Sequence, residues 1–314
     1  MKNDKINNGS IFYQGLNLDP FTSLEIVRNQ MQSFIPSILH TYPYLSNRNF
    51  VDLMASSEVE TNPNPTVQQC RKVVIGIVRL IHSNFESFVT ERIQEGYNIA
   101  QAQILGIKKL LDIPNYAELE FPEVFSNGEI DSQKIESLIK TFQMATSLIP
   151  DNLKKNTPVP TIILNQDEMS TLPSFSSYTN KVVISLNMKT KFVQQIAEAI
   201  HEYAHLIEQF NPEVNLDTNK FLLEKIFSLE KDTLENLGKK YQKPFLPEAK
   251  KIEVYEGPFI DLYVGRTYGN LDSNLNQIVN TEVLSVGLEA LFLNPTNFML
   301  RDKDYFEFIK KHLV

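Results

Sequence analysis

Two of the chain's five histidines, His201 and His205, stand four residues apart in "IAEAIHEYAHLIEQF", and Glu202 directly follows the first. On a helix that spacing puts both imidazoles on one stripe, a turn apart, so both rings reach a single point. A zinc ion asks this of two ligands on one rigid element, and the glutamate between them projects to the flank where an attacking water would sit. The chemistry on offer is hydrolysis: the ion acidifies water and polarises a carbonyl, while Glu202 moves the protons. The competing reading is an ordinary amphipathic helix. Ile196, Ile200, Tyr203, Ile207 and Phe210 form an apolar stripe that would face a core with or without a metal.

A catalytic zinc usually has three protein ligands and one open position. The single cysteine, Cys70, cannot supply a thiolate set and excludes an intramolecular disulfide framework; its place on an amphipathic pattern reads as packing. No histidine follows His205 by six residues, His312 lies near the C-terminal end, and His40 and His82 fall in the first half. A carboxylate remains. "NTEVLSVGLEALF" offers two, Glu282 and Glu289, seven residues apart on one helical face with Ser285 between them. Upstream, "DLYVGRTYGN" holds Tyr263, Arg266 and Tyr268, any of which could stabilise an oxyanion. Tyr268 is the favoured helper, against the alternative that these tyrosines simply pack a glycine-rich turn.

Elements must position these groups. Helical spacing of apolar residues runs through "FTSLEIVRNQMQSFIPSIL" from Phe21, with a break at Pro36, through "TVQQCRKVVIGIVRLIHSNFESFVTERI" from Thr66, and through "DSQKIESLIKTFQMATSLI" behind an Asp131 cap. "DIPNYAELEFPEVFSNGEID" reads as a loop, and "PDNLKKNTPVP" from Pro150 as a domain boundary. Beyond it, "VPTIIL" from Val159 and "YTNKVVISL" from Tyr178 read as strands. A helix is expected from about Met188 to Phe210, a charged helix through "NKFLLEKIFSLEKDTLENLGKK", another from about Leu275 through "TEVLSVGLEALFL", and a short last one in "DKDYFEFIKKHL".

A helix with HExxH followed much later by a helix carrying a glutamate resembles the glutamate-type zincin metallopeptidases. The resemblance implies Glu282 as third ligand, because "NTEVLS" is similar to the family's ligand motif with Ser285 beside it. The joint occurrence of HExxH, "YVGRTY" and "EVLSVGLE" also resembles the zincin-like domains associated with phage minor head proteins, over roughly Tyr178 to the C-terminus, and implies a bacterial or phage setting. Two departures stand out: Glu282 comes 77 positions after His205, and Val286 occupies a place where the family pattern has an acid. In the zincin pattern "SSYTNKVVISL" resembles the edge strand along which an extended peptide is added. The expected fold is α+β and mostly helical: a helical N-terminal region, 1–150, and a zincin-like zinc hydrolase domain, 151–314, with a small mixed sheet.

Composition bounds the partners. With 42% hydrophobic and 22% charged residues over 314 positions, the chain is of globular type. A net charge of −8 provides no global field for phosphates, so nucleic acid is not an expected partner. No apolar run is long enough to span a bilayer, the N-terminus lacks a secretory signal, and a single cysteine fits a reducing cytoplasm; export by a route without a signal stays open. The expected activity is a zinc-dependent peptidase acting on a protein or peptide, with Zn2+ on His201, His205 and Glu282, Glu202 as general base and Tyr268 as helper. The alternatives are a hydrolase of another bond, and a phage or bacterial assembly protein with a structural or vestigial zinc. Glu202 favours an enzyme, since a closed structural site has no use for a general base.

Overall fold

The computed structural model of the chain describes residues 67–120, 124–126, 131–165, 174–178, 181–187, 191–242 and 249–314. The helix expected from Phe21 lies outside these residues, and the packing expected of Cys70 lies outside the described side chains, its backbone alone being described. The described residues are mostly helical, of α+β class, with one small mixed sheet and one two-stranded sheet. No described helix is long and apolar enough to cross a membrane. They form two compact units, 67–114 with Asn294–Glu307, and Asn115–Leu293 with Phe308–Val314. The stretch from Pro150, read as a boundary at 150/151, lies inside the second unit and includes a short helix.

In the first unit, α1 (Val67–Gln94) and α2 (Ile99–Leu111) pack as an antiparallel pair across a short turn. Asn98 and Gln101 form a reciprocal capping box that starts α2, which satisfies two amide groups left over by the helix start. Gly106 lets the helices close: a Cβ there would lie 2.8 Å from the Phe85 ring of α1. Later residues complete this core, with α9 (Pro295–Arg301) and the start of α10 (Lys303–Lys311) burying Phe298, Tyr305 and Phe306 in edge-to-face contact. His82 is used here, its Nδ1 2.9 Å from Thr296 Oγ1.

The second unit holds the four-stranded sheet, ordered β1 (Val124–Ser126), β2 (Thr161–Asn165), β4 (Lys181–Asn187), β3 (Ser174–Tyr178). The first three strands are parallel, and β3 runs antiparallel to β4 with Phe175 opposite Ile184. Between the strands in sequence come α3 (Ser132–Thr146), capped by Asp131, and α4 (Asp151–Asn156). After the sheet come α5 (Phe192–Phe210), α6 (Pro212–Lys225), and the hairpin β5 (Lys231–Thr233) with β6 (Glu253–Tyr255), which has α7 (Leu234–Tyr241) between its strands. A one-turn 3-10 helix (Leu262–Gly265) and α8 (Val283–Leu293) complete it.

Four expectations from sequence change. The stretch read as a loop before Asp131 contains β1, three residues whose only strand signal is their parallel pairing with β2. "SSYTNKVVISL" is two strands, not one edge strand: the edge is β3, whose serine-rich sequence hides the alternation, and β4 is interior. The charged helix through "NKFLLEKIFSLEKDTLENLGKK" is α6, β5 and α7 in succession. Ile226 takes an extended backbone that ends α6, and the Thr233 side chain caps α7. Lastly, the helix expected from Leu275 begins at Val283, because Leu275 has a positive φ of 56° and Thr281 caps the true start.

Candidate metal centre

Helix α5 is buried on most of its circumference, lying against α3, α8 and the β3–β4 side of the sheet. Ile196, Ala197, Ile200, Tyr203, Ala204, Leu206 and Ile207 are all buried, so the two histidines stand on a helix whose rotation and height are fixed by packing. Asn211 stops it: its side chain donates to Ile207 O at 2.9 Å, and Pro212 begins the next helix.

Glu282 sits immediately ahead of α8, with its carbonyl accepting the Val286 amide and its own N–H donating to Arg266 O. Its side chain is completely buried, and Oε2 lies 3.2 Å from His201 Nε2 and 3.1 Å from His205 Nε2. The potential ligand atoms of the three residues all fall within 4.8 Å of one another; among the described residues this is the group that can hold a metal ion. In a tetrahedral site with bonds of about 2.0–2.1 Å, neighbouring ligand atoms stand about 3.4 Å apart. The observed separations around the carboxylate are close to that, and two imidazoles with one carboxylate suit a borderline ion.

Ser285 Oγ donates to Glu282 Oε2 at 2.7 Å, and Tyr268 OH to Oε1 at 2.8 Å. Arg266 Nη1 is 3.7 Å from the same Oε1; its guanidinium lies over the Tyr268 and Tyr263 rings and donates to the Tyr263 hydroxyl. Burial alone would raise the Glu282 pKa, but His205 and His201 hold it well below the usual carboxylate range. His201 Nδ1 is 3.0 Å from Glu289 Oε2, whose other oxygen accepts from Gln194 at 3.5 Å. Burial disfavours the charged His201 ring, yet Glu282 and Glu289 outweigh it and raise the pKa to about 10. With Nδ1–H bonded to Glu289, Nε2 is the nitrogen left to a metal that displaces its proton.

The structure therefore brings His201, His205 and Glu282 together and gives Glu289 a different place, behind His201. Glu202 is on α5 next to His201 and only 6% exposed. Tyr268 is 55% exposed as a residue while its hydroxyl reaches the cluster; burial of that end and the Glu282 charge raise its pKa, so it is a phenol, and a donor, at neutral pH. Its ring meets that of His205 edge-on at 5.8 Å. His312 is elsewhere, packed edge-on against Phe308.

Several polar residues around the cluster carry no motif in sequence. Asn219, fully buried on α6, donates to Val279 O at 2.7 Å and accepts from Val279 N at 3.2 Å, acting as a strand partner for the segment that leads to Glu282. Glu208 accepts from Thr281 and Thr218. Only the spacing of Glu208, one turn after His205, could have drawn attention to it. Comparison of the chain with protein-family models, curated proteins and solved structures found no match.

Proposed function

We propose that this chain is a zinc-dependent metallopeptidase with His201, His205 and Glu282 as the metal ligands. The observation that carries the reading is the convergence of two imidazole nitrogens on one oxygen of a fully buried carboxylate, next to a glutamate in the HExxH position. The resemblance of the motifs to the glutamate zincins supports the same choice of ion and reaction. When bound, zinc supplies Lewis acidity to a water and to the scissile carbonyl.

The chain's own residues do the rest. Glu202 accepts the proton of the attacking water and delivers it to the leaving amine. Tyr268, whose single hydroxyl proton is given to Glu282 Oε1 in the resting site, turns that proton to the carbonyl oxygen as negative charge develops. Glu289 holds the His201 ring, and Ser285 holds the Glu282 carboxylate. Among the described residues β3 is an edge strand, the kind of element along which an extended peptide is added, which favours a peptide over a smaller substrate.

The deciding experiment measures metal in the purified chain and follows cleavage of an unstructured protein with and without a chelator, with Glu202→Gln alongside. The expected result is one zinc per chain, cleavage lost on chelation, and a variant that keeps zinc without cleaving. Metal bound by both proteins with no cleavage by either would instead favour an assembly role with a structural ion, and cleavage by the variant would remove Glu202 as the base.

A further inference from the structure

Helix α5 carries another acidic side chain one turn beyond His205, and the scheme above gives it no part. Glu208 is completely buried. A carboxylate in such a place is costly unless donors saturate its oxygens. Here the Thr281 N–H lies 3.1 Å from both oxygens, and the hydroxyls of Thr281 and Thr218 each lie 2.6 Å from Oε1.

Thr281 is the residue before Glu282. Its hydroxyl, while meeting Glu208, also accepts the Val283 N–H at 3.1 Å and so caps the first turn of α8. The link from Glu208 through Thr281 to Val283 thus brackets Glu282 on both sides in sequence. The other side of the same backbone is held by Glu282 N–H on Arg266 O at 3.2 Å and Tyr268 N–H on Asn280 O at 2.9 Å. An amide is a poorer fit than the Glu208 carboxylate: its one oxygen could keep the contacts made at Oε1, but the NH2 in the place of Oε2 would face the Thr281 N–H, donor against donor.

We propose that Glu208 is a positioning residue of the metal centre, fixing the third ligand to the helix that carries the other two, so that the working motif on α5 is HExxHxxE. This rests on the metal-site reading above. One helix then sets all three ligands, two directly and one through Thr281.

The test uses the full chain, with Co2+ as the probe, read by equilibrium titration and by the visible absorption of the bound ion; thermal unfolding without metal runs in parallel. Glu208→Gln and Thr281→Val should each weaken Co2+ binding about 10–100-fold and change the absorption spectrum, since the carboxylate no longer reaches its place. Thr281→Ser, which keeps the hydroxyl, should bind as the unaltered chain does with the same spectrum. If Glu208→Gln does not fold, the two Thr281 variants decide. Unaltered affinity and spectrum in the folded variants that remove the link would overturn the positioning role alone. Failure of the unaltered chain to bind Co2+ would overturn the metal centre and this role together, a distinguishable result.

Discussion

The carboxylate of Glu282 lies 3.1 Å from Nε2 of His205, although 77 positions separate them in the chain. Two buried helices, α5 and α8, pack together to bring this about, and the residue that supplies the oxygen stands at the start of α8 and not within it. At that position the helix dipole favours a negative charge, and the Ser285 hydroxyl is in reach of the same side chain.

The two glutamates of this region should separate cleanly. Glu282→Ala should lower zinc affinity by more than about 100-fold, while Glu289→Ala, which frees the far side of the His201 ring, should cost about 10–100-fold. Isothermal titration of both variants checks this; equal retention of metal removes Glu282 from the ligand set.

Glu202→Gln should retain zinc at the unaltered stoichiometry and lose about 10²–10⁴ in kcat, the usual contribution of a general base. Metal analysis and turnover on the same preparation supply both halves of the comparison.

Tyr268→Phe removes a donor to Glu282 Oε1 and keeps the ring that meets His205. With the phenol's one proton turned from Glu282 to the developing charge, its loss should lower kcat about 10²-fold with KM little changed, as for loss of one oxyanion donor. Unchanged turnover would leave Tyr268 as a brace for Glu282 only.

In protein stripped of metal, stability should vary with pH through His201. Its folded pKa, about 10, is above the ordinary 6.5. A group raised on folding contributes fully below its unfolded value and loses that contribution as pH rises through the folded one. The unfolding midpoint should therefore fall between about pH 6.5 and 10. His201→Gln should flatten this slope, and an equal slope in that variant would assign it to other groups.

Gly265, in the "YVGRTY" turn, has a packing reason. A Cβ there would collide with the Tyr255 carbonyl oxygen of β6, a backbone atom that cannot move aside. Gly265→Ala should destabilise the chain by about 1–3 kcal/mol, the range for an overpacked site. Denaturant unfolding measures it, and a neutral result would mean that the turn yields.

Local signals were readable where one element carried the whole message. The HExxH pair is legible because helical spacing alone puts His201 and His205 on one stripe, and Phe192–Phe210 forms the helix that the apolar pattern implied. The strand in "VPTIIL" is legible from a short run that is mostly apolar and β-branched, Thr161, Ile162 and Ile163 before Leu164. The three residues of β1 and the serine-rich β3 were not, since their strand character comes from pairing with β2 and β4.

The sequence by itself determined the chemistry on offer: residue types, the four-residue spacing of the imidazoles, and a charge balance that gives phosphates no global attraction. Which acid completes the trio was decided by the tertiary structure. Glu282 and Glu289 are equivalent as residues in a helical pattern, but the polar grip of Glu208 and Asn219 on the segment from Val279 to Thr281 delivers one to the histidine Nε2 atoms and leaves the other behind His201. Contacts between residues tens of positions apart have no period along the chain, so only the packed fold could show them.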